Sequence, residues 1–267
     1  GLHAEAQVEG GSFDSWRAAG TVSGGSEALT GSLTASVYDT DGISAADKKD
    51  GNTEKDGYRN WAVLGSLGAR LAENVRLDLK GLYNRGRAEY DGFPPPLYTF
   101  ADMDNRNRSE LFSGYAGLTV DAFGGALSNR FAVGYSRNDR ADFETEIQTN
   151  DTRGQIRRFE YQGTLRAGAS TELTFGAETE KQKIRNIGQW DLEPLKADVD
   201  THSVYAQGQT TLFERLTLTA GVRHDDHDTF GAHTTFRVAG AYRIEASDTL
   251  LRANWGEGFK APSLYQV

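Results

Sequence analysis

Apolar and polar residues alternate along most of this chain with a period of two, the pattern of β-strands that have one apolar face. The clearest segment interleaves the two kinds of residue position by position: Val75, Arg76, Leu77, Asp78, Leu79, Lys80. About thirteen such segments follow one another, whereas helical spacing is hard to find. Many extend over about 12 to 16 residues, although strands of soluble proteins most often have about 5 or 6. Because a tilted strand needs about 9 to 11 residues to cross hydrocarbon, these lengths predict strands that span a membrane.

The connections between these segments alternate in length. Short turns are predicted near residues 24–26, 72–74, 124–125, 169–171, 213–215 and 246–248. Longer polar loops are predicted at about 40–57, 86–107, 139–152, 186–200 and 226–233. Short turns at one end and long loops at the other end are typical of outer-membrane barrels, in which the long loops are extracellular.

The composition of the 267 residues is compatible with such a barrel. The chain has 38 acidic and 29 basic residues, a formal net charge of −9, so no nucleic-acid partner is indicated. It contains no cysteine, which excludes disulfides and thiolate metal sites. The mean hydropathy is −0.58, and no apolar run reaches the ~20 residues of a transmembrane helix. A transmembrane β-barrel gives such values, because only alternate residues of its strands meet lipid.

The pattern therefore predicts an all-β protein, an antiparallel transmembrane β-barrel in which residues 1–267 form a single domain. A soluble β-sandwich or β-solenoid is the alternative, but a sandwich would need shorter strands. The first residues, Gly1 to Glu5, lack the basic start and apolar core of a signal peptide. We therefore expect that a leader has been removed or that the chain begins within a longer protein.

Four segments resemble parts of one known family. The segment Gly256-Glu-Gly-Phe-Lys-Ala-Pro-Ser-Leu264 resembles a strand end of TonB-dependent outer-membrane receptors. Residues 9–14 are similar to the tight loop after the family's first barrel strand, and residues 41–47 with 56–60 to its acidic loop. Residues 221–231 resemble a recurrent strand-to-loop segment. The resemblance covers the whole chain and is closest to the vitamin B12 receptor branch, although siderophore receptors share these segments.

This resemblance implies active uptake across the outer membrane of a Gram-negative bacterium. A scarce metal chelate, similar to cobalamin or a ferric siderophore, would bind the extracellular loops and a plug domain. An inner-membrane complex would supply energy through TonB, which contacts the plug. Family barrels have about 22 strands and a plugged lumen. We therefore expect a partial barrel without the plug, which would precede Gly1, and with about nine strands missing. Its partners would be outer-membrane lipid, the plug and the remaining strands.

The loop at residues 40–57 is rich in carboxylates, the ligands that Ca²⁺ prefers. The calcium ligands that we predict in it are Asp39, Asp41, Asp47, Asp50 and Asp56. The resemblance to vitamin B12 receptors, some of which use loop calcium, favours the same site. The spacing does not match an EF-hand loop, and three lysines lie among the carboxylates. An ordinary solvated loop is therefore the alternative.

Aromatic residues surround the prolines of the next predicted loop. Exposed aromatic side chains usually contact something, so we predict that Tyr90, Phe93, Tyr98 and Phe100 bind the ligand. A second metal hypothesis concerns the segment His224-Asp-Asp-His-Asp228, with His233 nearby. It is weakened because neighbouring residues of a strand point to opposite faces.

No enzymatic function is predicted. The chain contains no Gly-x-Ser-x-Gly elbow, no P-loop and no His-Glu-x-x-His motif. The function that competes with active uptake is a passive porin or a structural outer-membrane barrel. A plug-encoding segment upstream of Gly1 would favour the receptor, and a signal peptide there would favour the porin.

Overall fold

The computed structural model describes residues 1–47, 49 and 54–264 and contains one antiparallel sheet of thirteen strands. In chain order they are β1 (Leu2–Gly11), β2 (Ser15–Gly25), β3 (Leu29–Thr40), β4 (Tyr58–Ala72), β5 (Val75–Gly92), β6 (Ala101–Ala122), β7 (Leu127–Glu144), β8 (Ile147–Arg166), β9 (Thr171–Gly188), β10 (Leu195–Leu212), β11 (Leu216–His227), β12 (Gly231–Ile244) and β13 (Thr249–Gly256). Two short 3₁₀ turns cover Phe123–Gly125 and Glu245–Ser247. The all-β antiparallel prediction and the number of strands are confirmed.

Each strand pairs with the strands before and after it in the chain, so the topology is a simple up-and-down meander. Among the residues that the structure describes, no ladder joins β13 to β1. The sheet is therefore open and has two edges. An open edge leaves backbone N–H and C=O groups unpaired, which hydrocarbon cannot satisfy. Further strands, or another chain, must therefore cover both edges in a bilayer.

The two faces of the sheet differ in polarity and in burial. Phe159 and Val204, on the apolar face, are 57% and 55% exposed. On the polar face, the side chains of Glu178 and Glu180 are only 15% and 13% exposed. Apolar groups are normally the buried ones, so this inverted distribution is that of a barrel wall with lipid outside and a polar lumen inside.

The apolar band crosses the sheet obliquely. Along one row of paired residues, Val133 and Phe159 are followed by Thr179, His202 and Asp226, so the row changes from apolar to charged within five strands. Rows of pairs run perpendicular to the strands. Strands that tilt by about 45° therefore carry each row out of the hydrocarbon. Tilted strands therefore account for the oblique course of the apolar band.

Four of the five long loops are predicted wrongly in extent. The structure replaces them with strands that continue to short connections at 93–100, 145–146, 189–194 and 228–230. Only the loop after β3, at 41–57, has about the predicted length. The ends of the strands are polar on both faces, so their sequences have the composition of a loop. Beyond the membrane, however, water solvates both faces while the ladder still pairs the backbone groups. No helix among the described residues is long and apolar enough to span a bilayer.

A charge placed on the lipid face tests this assignment of the two faces. Leu79 lies in the middle of the apolar band, paired with Leu67 and Ala116. We expect Leu79→Arg to lower the free energy of unfolding by about 2–4 kcal/mol, because the cation must enter hydrocarbon. The measurement is denaturant unfolding of the full-length protein in phospholipid vesicles. Leu82→Arg, which places the same residue on the polar face, is the matched control. Equal losses in the two variants would contradict the assignment.

Candidate functional site

The polar face of strands β8 to β11 carries a connected network of charged side chains. The guanidinium of Arg223 contacts Glu178 at 3.4 Å, Asp225 at 2.8 Å and the hydroxyl of Ser203 at 2.8 Å. Ser203 also donates to Asp225 at 2.6 Å, and Arg158 pairs with Glu178 at 3.8 Å. Opposite charges therefore neutralise one another along this wall. Each acid named here has a basic or hydroxyl partner, so the network gives this wall a polar surface of low net charge.

A second cluster lies at the end of the sheet where the loop 41–57 meets the hairpin of β5 and β6. Carboxylate oxygens of Glu54, Asp91 and Asp102 lie within 4.8 Å of one another, an arrangement that can hold a cation. Asp91 is the penultimate residue of β5 and Asp102 is the second residue of β6, so the cluster joins one loop to this pair of strands. The proximity follows from the meander, because consecutive hairpins are adjacent in space.

Asp91 fixes the path of the loop across this hairpin. It is only 8% exposed, and its carboxylate accepts hydrogen bonds from the backbone of Ala46 at 2.9 Å and Met103 at 3.2 Å. The hydroxyl of Ser44 donates to the same carboxylate at 3.1 Å. A buried carboxylate with three donors is well satisfied. The role of Asp91 is thus partly structural.

Asp56 lies beside the cluster and is incompletely satisfied. One of its carboxylate oxygens accepts a hydrogen bond from the backbone N–H of Ala45 at 3.0 Å. The other oxygen, Oδ1, is buried and has no hydrogen-bond partner among the described residues. Burial raises the pKa of Asp56, the hydrogen bond from Ala45 opposes that rise, and the charges of Asp91 and Asp102 add to it. Asp56 is therefore crowded by the negative charge of neighbouring carboxylates.

Glu54 experiences the same crowding of negative charge. A hydrogen bond shared with Asp102, together with burial and the charges of Asp102, Asp91 and Asp56, raises the pKa of Glu54 from 4.5 to about 7. Carboxylates that crowd together disfavour ionisation, and a bound cation reverses that effect.

The structure brings together few of the predicted calcium ligands. Asp39 lies at the end of β3, where its carboxylate pairs with Arg59, and Asp41 pairs with Lys55 at 2.8 Å. Asp47 accepts a hydrogen bond from a backbone N–H at 2.9 Å. Asp50 lies outside the described residues. Of the five, Asp56 is the one whose charge interacts with the carboxylate cluster.

The calcium ligands predicted from the sequence do not include Glu54, Asp91 or Asp102, which form the carboxylate cluster. Asp91 and Asp102 belong to the hairpin of β5 and β6. No local pattern links them to Glu54, because two strands and a turn lie between the loop 41–57 and that connection. The available signal was the acidic stretch Asp102-Met-Asp104 directly after the proline loop.

The predicted ligand-binding aromatics form a loosely packed group at the loop after β5. The rings of Phe93 and Phe100 meet edge to face with centroids 5.3 Å apart. Tyr98 is 69% exposed at the tip, and Phe93 is 63% exposed. Tyr90 precedes them on β5 and is 39% exposed. The group thus forms an exposed apolar surface at this end of the sheet.

The histidine metal hypothesis finds no support in the placement of its residues. His224 and His227 lie on opposite faces of β11, and His224 instead contacts the hydroxyl of Thr234 at 2.8 Å. His233 stacks on Phe259, with ring centroids 4.0 Å apart. Phe259 belongs to the Gly-Phe-Lys-Ala-Pro segment, so this contact ties that segment to β12.

The sequence and the fold of this chain are similar to those of known proteins. A model of the family described as TonB dependent receptor-like, β-barrel, matches residues 9–267. The vitamin B12 transporter BtuB of Photobacterium profundum is 27% identical over 266 residues, which cover 97% of this chain and 41% of that protein.

Solved structures of similar architecture have lower sequence identity. The siderophore receptor PirA from Pseudomonas aeruginosa has a TM-score of 0.71 and 19% identity, with 99% of this chain and 43% of that chain covered. The copper transporter OprC has a TM-score of 0.78 and 14% identity, with 100% and 46% covered. At these identities the likeness establishes the fold alone. The chain spans less than half the length of each of these proteins.

The carboxylate cluster makes a direct prediction about titration. In the absence of divalent cations, the carboxyl resonance of Glu54 should titrate near pH 7 in an NMR experiment with ¹³C-labelled glutamate. Since this pKa lies above the ordinary 4.5, the folded loop loses stability as pH rises from 4.5 to about 7. Asp102→Ala should move the midpoint down, because it removes the first cause of the shift. Asp104→Ala, outside the cluster, is the control. A wild-type midpoint near 4.5 would contradict this account.

Proposed function

The chain belongs to the TonB dependent receptor-like β-barrel family, and we propose that it forms part of the wall and extracellular loops of a receptor for active uptake of a scarce metal chelate. The family is one of the outer membrane, and we propose a Gram-negative bacterium as the source. The observation that carries the proposal is the family match over residues 9–267, on a sheet with an apolar outer face and a charged inner face. Residues 1–267 act as one barrel domain in this proposal.

The ligand class rests on the similar proteins. One is a vitamin B12 transporter, one a siderophore receptor and one a copper transporter. A cobalamin-like or ferric siderophore-like chelate is the class that we propose for this chain, and sequence similarity favours the cobalamin type. The loop aromatics Phe93, Tyr98 and Phe100 support a ligand with apolar surface, since aromatic anchors contribute much of the binding energy in such sites.

The partners of the barrel follow from its two faces. Outer-membrane lipid covers the apolar band, and further strands cover the edges of β1 and β13. A plug domain would lie against the network of Arg158, Glu178 and Arg223, whose charged surface suits a hydrated polar domain. The TonB complex would act through that plug.

Calcium is proposed as a structural ion of the loop 41–57, held by Glu54, Asp56, Asp91 and Asp102. The residues fit the ion, because they supply only oxygen ligands and include a buried oxygen of Asp56 without a partner. Bound calcium would supply positive charge that neutralises the crowded carboxylates. It would thereby fix the loop to the hairpin of β5 and β6, beside the aromatic group.

Calorimetry with calcium tests this ligand set. We expect the full-length protein to bind Ca²⁺, and the double variant Glu54→Gln/Asp102→Asn to bind at least tenfold more weakly, because two of its carboxylates are lost. Asp41→Asn is the matched control, since Asp41 pairs with Lys55 outside the cluster. Affinity should also rise with pH through about 7, as Glu54 loses its proton. Equal weakening in the control and the double variant would contradict the ligand set.

Ligand binding is tested by calorimetry of the full-length protein against cobalamin and a panel of ferric siderophores. We expect Phe93→Ala/Tyr98→Ala to weaken the binding of the chelate that is recognised by about tenfold or more. The control is Phe123→Ala, an aromatic residue that is 82% exposed in a turn at the opposite end of the sheet. Unchanged affinity in the double variant would remove these aromatics from the site. Absence of binding to every chelate would contradict the proposed function.

A further inference from the structure

Every residue that β3 directs to the polar face of the sheet carries a hydroxyl group. Gly31 pairs with Leu67, and Leu67 pairs with Leu79 of the apolar band, so the odd-numbered residues of β3 lie on the apolar face. The even-numbered residues therefore lie on the polar face. They form a hydroxyl column, which consists of Thr30, Ser32, Thr34, Ser36, Tyr38 and Thr40.

Hydroxyl groups of the column bond to hydroxyl groups of the two neighbouring strands. The pairs are Thr34 with Thr21 at 2.9 Å, Thr40 with Ser15 at 2.6 Å, and Ser32 with Ser66 at 2.7 Å. A hydroxyl has one donor and two acceptor positions, so one donor of each pair remains after the pair has formed. The pairs thus offer both donors and acceptors to a molecule beside this wall.

The wall around the column is almost free of charge. Within β2, β3 and β4, all of whose residues are described, the charged residues of the polar face are Arg17 and Arg70, which lie toward opposite ends of the strands. The polar face of β8 to β11, in contrast, carries the network of Arg158, Glu178 and Arg223. The inner wall therefore has a neutral section and a charged section, and β3 and β9 are six strands apart.

The hydroxyl column extends over the height of a bilayer. Strand β3 has 12 residues, which extend about 40 Å along the strand at about 3.3 Å per residue. With a tilt of about 45° they cover a height of about 28 Å, close to the ~30 Å of hydrocarbon. At one end of the column, the hydroxyl of Thr40 accepts a hydrogen bond from the backbone N–H of Gly42 at 3.1 Å. The column thus reaches from the loop 41–57 to the turn that precedes β3.

A neutral hydroxyl wall and a charged wall act differently on a molecule that has to move past them. Passage through a pore requires many contacts of similar and modest strength, because a strong contact at one level would hold the molecule there. Hydrogen bonds to charged groups are the strong ones. A hydroxyl can instead exchange a partner for water with little net change in free energy, and it can donate or accept.

We propose that the hydroxyl column is a transit site for the imported chelate, and that it takes chelates whose periphery carries amide or hydroxyl groups. The charged network holds the plug in place, whereas the chelate moves along β3 between the plug and the neutral wall. Successive hydroxyl groups replace the water that the chelate loses at each level. This inference rests on the proposed function, because it requires an imported chelate and a plug.

Reversible obstruction of the column tests the proposal. Thr34→Cys is introduced into the full-length protein in cells, and binding and uptake of radiolabelled cobalamin and radiolabelled ferric siderophores are measured. The chain has no cysteine, so within it a thiol reagent reacts only at the introduced position. We expect a bulky neutral adduct to lower uptake about tenfold without changing binding, and a reductant to restore uptake. A methyl adduct should leave uptake unchanged.

Thr219→Cys is the matched control. Thr219 lies on the polar face of β11, where it pairs with Gln209 away from the column. The same bulky adduct at this position should leave uptake unchanged.

A second set of variants tests the role of the hydroxyl groups. Ser32→Ala/Thr34→Val/Ser36→Ala removes three hydroxyls with little change in volume, and we expect uptake to fall about fivefold while binding stays unchanged. Ser32→Thr/Thr34→Ser/Ser36→Thr keeps the hydroxyls and should retain uptake.

Each alternative result overturns the proposal. Undiminished uptake with the bulky adduct at Thr34→Cys would exclude β3 as the route. Equal losses in the two cysteine variants would show a general obstruction of the lumen. An equal loss in the two triple variants would show an effect of packing. Normal binding in these experiments confines the failure to the transit site, whereas absence of binding of every probe by the wild type would contradict the proposed function itself.

Discussion

Hydrocarbon offers no hydrogen bonds to a peptide group, so every backbone N–H and C=O in the membrane must find its partner within the protein. This sheet meets the requirement through twelve successive antiparallel ladders, each formed between neighbours in the chain. This pairing also determines the direction of each side chain, because an antiparallel strand turns alternate residues to opposite faces. The ladder of β7 and β8 pairs Val133 with Phe159 on the lipid side, and the ladder of β8 and β9 pairs Arg158 with Glu180 on the lumen side. Within the described residues, the outer edges of β1 and β13 leave backbone groups without partners.

The ladder also explains why the strands continue so far beyond the bilayer. Strand β6 has 22 residues and β8 has 20, about twice what the hydrocarbon requires. Once pairing is established, each further residue adds a pair at no extra cost of chain closure, and polar side chains on both faces are solvated. The extension carries charged residues outward beyond the apolar band. It also holds Asp91 and Asp102 above the membrane, where the loop 41–57 can reach them.

The candidate sites differ in how they depend on that scaffold. The carboxylate cluster is assembled from the loop 41–57 and the hairpin of β5 and β6, and the crowding of its acids raises the pKa of Glu54. The aromatic group around Phe93 and Phe100 is local to one loop and needs only that loop to be held in place. A cation bound at the carboxylate cluster would connect the loop 41–57 to the loop of the aromatic group. Glu54 lies in the first loop, and Asp102 closely follows the second.

The sequence by itself determined the class of fold, the number of strands, the two faces and the short turns, since all of these are local consequences of a period of two. Its resemblance to TonB-dependent receptors, carried by motifs such as the one at Gly258, was confirmed by the family match. Only the tertiary structure decided how far each hairpin extends, because polar strand and polar loop have the same composition. It alone decided that Glu54 meets Asp91 and Asp102, and that Arg223 of β11 reaches Glu178 of β9. Those contacts depend on register between strands, which no local pattern encodes.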